Sequence, residues 1–349
     1  MTKTRTSYKD KKIVTRQDVA RRANVSTAVV SYVLNRGPRP VAPETRDKVE
    51  RAIAELGYFP NEVARSLRSR RTFTIGLIVP DLAIPANAEL AAELLDALRE
   101  QNQLLLVCDS RGNPELECEA IETLRNKRVD GVVFVPAANS PLMLRPLMFA
   151  GTPTTVLGRR VPHTHAITID SIEAGVAATT HLARLGHRRI ALLAHGSEAG
   201  YESELALGYR QALASTGLAI DDSAVVEITS SIETARAAAL RELERRRPAS
   251  AFIASGDEGV LGVLAAARER SRSVPGDLSL VGIGTTAAAR YFGPGVTSVE
   301  FSRKDMATLA TRTLLDAIEE RDRASASERM LETQLIARAS TARRRDGPG

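Results

Sequence analysis

The sequence predicts a multi-domain protein in which a small all-α head precedes a larger, two-lobed α/β body built on doubly wound parallel sheets. Three observations carry that reading. Charge is segregated: residues 1–72 hold 17 Lys and Arg against 7 Asp and Glu, whereas residues 73–349 hold 31 against 35. Two short helical segments flank a tight turn near Asn24, and at Phe73 the texture changes to β-branched runs alternating with amphipathic stretches, a pattern that then repeats. The 349 residues leave room for two or three cores. A hydrophobic share of 43% with 26% charged residues excludes wholesale disorder and fibrous repeats.

In the head, Thr15-Arg16-Gln17-Asp18 has the spacing of a capping box and starts a helix that runs through Val19 and Ala20 to Ala23. Asn24-Val25-Ser26 then supplies a turn, since Asn tolerates the left-handed conformation and Ser26 can cap a second helix. In that helix Val30, Val33 and Leu34 recur at helical spacing and face the first helix, leaving Thr27, Ala28 and Ser31, with Val29 and Tyr32, on the outer side. A third helix runs from Glu44 or Thr45 to Leu56, with Gly57 as its cap. This is helix-turn-helix grammar inside a cationic segment, which favours a polyanion because each neutralised phosphate releases counterions. Double-stranded DNA is the expected partner, and a protein-binding three-helix module is the alternative. Residues 61–71 are helix-capable but have little apolar surface to dock, so alone in water they should be disordered.

In the body, Thr74–Val79, Leu104–Val107, Gly131–Val135 and Thr154–Leu157 read as buried parallel strands, with helices such as Ala88–Glu100 and Glu115–Lys127 between them. The pattern recurs at Arg189–Leu193, Ala224–Val226, Ala251–Ala254 and Leu278–Ile283. Two doubly wound halves follow, with ligands expected beyond the carboxyl ends of their strands, in a cleft between them.

The run Val14–Asn35 resembles the helix-turn-helix of the LacI/GalR family of lactose, galactose and purine repressors, as does the block Glu44–Asn61. The body carries further matches in order: Ile75–Asp81, Lys127–Gly131, Leu185–Ala191, Val274–Gly282 and Arg338-Ala339-Ser340. The resemblance covers roughly residues 13–342. It implies a DNA-binding domain over 1–59, a hinge helix and linker over 60–72, and a body over 73–342 like the periplasmic sugar-binding proteins, with 343–349 a disordered tail. Within the body it implies an N-terminal lobe of about 73–168 plus 300–327 and a C-terminal lobe of about 169–299 plus 328–342. It also implies a homodimer that reads a near-palindromic operator and responds to a small-molecule effector. DNA contacts then fall on Thr15, Ser26, Thr27, Ala28, Val29, Ser31, Tyr32 and Asn35, with Leu67 as a minor-groove wedge beside the small Ala64. Tyr32 stands where the family commonly has arginine, Ala28-Val29 where it has polar residues, and Ala42 where it often has a capping serine. Apolar contact with thymine methyl groups thus becomes as natural as a bidentate hydrogen bond.

The effector cleft departs further. The family's aromatic pair after the first strand is replaced within Ile84-Pro85-Ala86-Asn87, its arginine before Gly208-Tyr209 is Leu205, its Asn-Asp pair is Gly256-Asp257, and its acidic pair after Ile283 is Gly284-Thr285. Sugar hydroxyls need such groups to replace water. The cleft residues expected at matching or neighbouring positions are Asn87, Ser110, Arg111, Arg159, Asp170 and Asp257. The expectation is an effector that is poorly hydroxylated or anionic, or none.

Other chemistries are expected to be absent: no cofactor, no metal, no enzyme activity. Gly282-Ile283-Gly284-Thr285-Thr286-Ala287 fits a loose dinucleotide fingerprint, which keeps a nucleotide-dependent enzyme as an alternative, but its place late in the chain reads better as a tight strand exit. His163-Thr164-His165 follows Pro162 and reads as a solvated loop with no third metal ligand in range. Cys108 and Cys118 are too few for a disulfide framework. With no apolar signal region and no run of about 18 uncharged apolar residues, the expectation is a cytoplasmic protein without a membrane partner, in preference to a solute-binding protein.

Overall fold

The computed structural model describes residues 14–35, 40–59, 71–136, 147, 151–195, 201–319 and 326–344. The chain divides into two compact units, Met1–Thr72 and Phe73–Gly349.

The first unit is the three-helix head. Helix α1 (Arg16–Ala23) is opened by the capping box read from the sequence: Asp18 N–H donates to Thr15 Oγ1, and Thr15 N–H donates to Asp18 Oδ2 at 2.9 Å. Asn24 closes it in the left-handed region at φ 53°. The Ser26 hydroxyl accepts from Val29 N–H at 3.3 Å and so caps α2 (Thr27–Asn35). Helix α3 (Pro43–Leu56) starts one residue before the expected Glu44, because a proline suits a first turn whose N–H would lack a helical partner. Its cap position, Ala42, makes no side-chain hydrogen bond, and Gly57 ends it at φ 60°. Val19, Ala20, Ala23, Val30, Val33, Val49, Ala52 and Tyr58 form the core. Burial contributes about 1.5–3 kcal/mol for each large apolar side chain, and each cap adds about 1 kcal/mol to so small a core.

The second unit holds two six-stranded sheets of matching strand order. One runs β11-β5-β4-β3-β1-β2 and the other β12-β10-β9-β8-β6-β7. In the first sheet, β1 (Thr74–Val79) sits between β2 (Leu104–Asp109) and β3 (Gly131–Phe134), followed outward by β4 (Thr154–Leu157), β5 (His165–Ile169) and β11 (Glu328–Leu331). Helices α4 (Pro85–Glu100) and α10 (Arg303–Glu319) cover one face through Leu90, Leu94, Leu98, Met306 and Leu314. On the other, α5 (Pro114–Asn126) packs Ala120, Ile121 and Leu124. In the second sheet, β6 (Ile190–His195) lies between β7 (Val225–Ile228) and β8 (Ala251–Ser255), followed by β9 (Ser279–Ile283), β10 (Thr297–Glu300) and an antiparallel β12 (Gln334–Ile336). Helices α6 (Ser171–Arg184) and α7 (Tyr201–Ser215) cover one face, and α8 (Ile232–Leu243) and α9 (Gly256–Glu269) the other.

The chain crosses between the lobes three times, after β5, β10 and β11. This corrects the expected lobe boundary: Glu328–Leu331 belongs to the first lobe, where it pairs with β5, and the return to the second lobe comes only at β12. The expected loop at His163–His165 is likewise corrected at its end. His165 opens β5, and its Nδ1 lies 2.8 Å from Ser327 Oγ, while His163 stays exposed in a left-handed turn. The expected disordered tail shortens as well, because Arg344 N–H donates to Leu185 O at 2.8 Å.

Strand β10 buries Thr297 and Ser298. The C-terminal segment satisfies them: Thr297 N–H donates to Ser340 Oγ, Thr297 Oγ1 to Arg338 O, and Ser340 Oγ to Leu280 O. Arg338 also pairs with Glu300 at 2.7 Å. Arg338-Ala339-Ser340 is therefore a stitch that closes the second sheet. His187, read from the sequence only as scattered, is buried between Ser250 Oγ, Ser279 Oγ and Ala342 O, and burial holds its imidazole below the usual range.

Candidate nucleic-acid interface and interlobe cleft

On the head, Ser26, Thr27 and Ala28 stand exposed on the first turn of α2, with no acidic residue among them. Their backbone N–H groups are the unsatisfied donors of a helix start, and the helix dipole favours an anion there. Val29, Ser31 and Tyr32 are half-buried, so they reach outward only in part, and Val29 also packs on the core. Thr15 is exposed, with its hydroxyl committed to Asp18. The Asn35 side chain, Ala64 and Leu67 lie outside the described residues. Arg22 pairs with Glu55 and ties α1 to α3, a structural duty within a basic surface.

In the second unit a cavity of about 310 Å³ lies between the lobes. It is lined by the carboxyl ends of β4, β5, β6, β8 and β9, by residues just beyond β1 and β3, and by the first turns of α4, α9 and α10. This is the crevice that a doubly wound order opens where strands diverge from β1 and from β6. Of the six expected residues, Asn87 and Arg159 line it. The other four do not. Ser110 is fully buried and donates to Val79 O, Arg111 is exposed and pairs with Asp109, and Asp170 caps α6 through Glu173 N–H. Asp257 turns away from the cavity and accepts from the Thr286 N–H and hydroxyl, fixing the loop after β9. Leu205, at the family's arginine position, is wholly buried in the α6–α7 core.

Residues the sequence reading missed take their place. Glu258, one residue beyond Asp257, lines the cavity with His195, Ser255, Phe301 and Arg303. Gly256 makes room for them. A β-carbon there would meet Glu258 Oε2 at 2.8 Å and His195 Cε1 at 3.2 Å, and its φ of +68° favours glycine. Burial pushes the Glu258 carboxyl up, reinforced by Asp257 and Asp81, and pushes the His195 imidazole down. Arg303 joins the lobes: its guanidinium donates to Gly284 O and Thr285 O of the second lobe and pairs with Glu89 of the first. At the surface Arg160 spans the same gap, pairing with Glu204 at 3.0 Å and with Glu328. Signs of these roles were faint, because Arg303 follows a strand the hydrophobic pattern did not reveal.

Residues 15–61 match the family model for bacterial regulatory proteins of the lacI family, and residues 179–341 match that for a periplasmic binding protein-like domain. Catabolite control protein A of Priestia megaterium is 33% identical over 305 residues, covering 86% of this chain and 91% of the relative. The chain belongs to the lacI family of bacterial regulatory proteins. Another member, the transcriptional repressor PurR of Vibrio atlanticus, is 31% identical over 314 residues, 89% of this chain and 93% of that one. A solved complex of the regulator CelR with cellobiose shares 30% identity over 94% of this chain and 99% of its own, at a TM-score of 0.72. This lacI-family chain is thus a DNA-binding transcriptional regulator with a binding-protein-like body. Among the described residues, no helix is long and apolar enough to cross a membrane.

Proposed function

We propose that this regulator is a cytoplasmic repressor acting as a homodimer on a near-palindromic operator, and that a small molecule in the interlobe cleft alters its hold on DNA. The observation that carries the reading is the capped helix-turn-helix, whose α2 offers Thr27 and Ala28 from an acid-free first turn on a head of strong positive charge. One such head buries too little surface for useful specificity, whereas two related by a twofold axis read an inverted repeat. Thr27 and Ala28 read base edges in the major groove by methyl contact and hydrogen bonding, Ser26 and Thr15 position the phosphates, and Leu67 with Ala64 wedges the minor groove. The two arginine-centred ties between the lobes support the regulatory half of the proposal, since a ligand in the cleft would shift their geometry. The effector is poorly hydroxylated, because the lining is largely aliphatic.

Selection of bound duplexes from a random library tests this. An inverted repeat should emerge, with affinity falling steeply between low and physiological salt. Absence of any preferred sequence, or an affinity flat in salt, overturns it.

A further inference from the structure

The charges around the cleft do not balance, and the imbalance has a direction. Arg303 is matched by Glu89 and two carbonyl oxygens, and Arg159 is already engaged. The expected cation Arg111 is paired with Asp109 away from the cavity. Glu258, 8% exposed, forms no ion pair with a described residue, and after burial the charges that raise its carboxyl are the carboxylates Asp257 and Asp81, one from each lobe. Around it, two more polar groups face the cavity unmet: the hydroxyl of Ser255, 2% exposed, and His195 Nε2. The first turn of α9, which would otherwise attract an anion, already carries two carboxylates.

We infer that the effector, given the cleft reading above, is an organic cation with an apolar body, whose protonated amine or amidinium nitrogen is held by Glu258 and hydrogen-bonded by Ser255 and His195. A buried carboxylate without a counter-charge is destabilising, so a ligand nitrogen that pairs with it supplies what the site lacks. The remaining wall suits the body of such a molecule: Ile84, Leu90, Leu157, Ile169, Phe301 and Met306. The described His, Cys, Asp and Glu residues form no cluster fit for a metal ion, which leaves the cation organic. Since the nitrogen's three partners belong to the second lobe and Ile84, Leu90, Leu157, Ile169 and Met306 to the first, one molecule of this kind draws the lobes together.

Three probes of one shape and different charge decide the matter: benzamidine, benzamide and benzoate, titrated calorimetrically into the full-length protein. Benzamidine should bind about tenfold more tightly than either of the others, and Glu258→Gln should remove that advantage. Equal or weaker binding of benzamidine, or an undiminished preference in Glu258→Gln, overturns the inference. Should the variant not fold, the comparison on the unaltered protein decides alone. DNA affinity is measured on the same samples. If benzoate or benzamide wins and shifts DNA affinity, the cleft remains the effector site and only the nitrogen is lost. If no probe binds, the inference fails whether or not the protein holds DNA.

Discussion

The two lobes share a strand order and differ in how they pack helices against it. In the first lobe α4 meets α10 through bulky side chains, Leu90, Leu94 and Leu98 against Met306, Leu314 and Ile318. In the second lobe the helices approach almost backbone to backbone. A β-carbon on Gly208 of α7 would stand 2.0 Å from Ile172 O of α6, and one on Gly262 of α9 would stand 2.4 Å from Ala235 Cβ of α8. One topology is thus satisfied by two packing chemistries. The first lobe is stabilised by volume it must not lose, the second by volume it must not gain.

The comparison can be broken at either end. Gly208→Ala should be the most damaging change. Within an isolated helix that exchange stabilises by about 1 kcal/mol. Here the methyl collides with a carbonyl of the neighbouring helix, and a loss of roughly 3 kcal/mol or more in denaturant unfolding is expected. A neutral or stabilising result would show that α6 and α7 separate easily. Leu94→Ala, in the wholly buried centre of the first lobe, should cost about 3 kcal/mol by the same measurement, from lost transfer energy and the cavity left behind. A loss below about 1 kcal/mol would mean that this core collapses around the gap.

The smallest effect sharpens the contrast through pH. His181, His187 and His195 of the second lobe are held below the ordinary 6.5 by burial, against His165 alone in the first. The unfolded chain therefore takes up protons that the folded lobe refuses. Stability is full above about pH 6.5 and falls as the pH drops below it. Glu242 and Glu258, raised above their usual 4.5 by burial, act in the opposite sense at more acid pH. Between pH 7.5 and 5.5, hydrogen exchange should show the second lobe loosening more than the first. Equal protection in both would remove the histidines from the account.

The head was legible because its determinants are local: a threonine and an aspartate three residues apart, an asparagine in a left-handed turn, a serine at a helix start. The eight strands expected from β-branched runs all form, with ends shifted by a residue or two. Strands β5, β10, β11 and β12 escaped notice because their polar residues are satisfied at long range, as Thr297 is by Arg338 and Ser340. The cleft was half legible. Asn87 and Arg159 fell where register placed them, but choosing between Asp257 and Glu258 required knowing which side of the first turn of α9 faces the other lobe.

The third crossing has a consequence for biosynthesis. Strands β11 and β12, separated only by Glu332 and Thr333, form the outer edges of two different sheets. The two sheets cannot both be completed before residue 336 has been made, whereas the three helices of the head end at Leu56. A ribosome stalled near residue 325 would therefore carry a body that lacks both edge strands, a species with two open sheet edges and prone to aggregate.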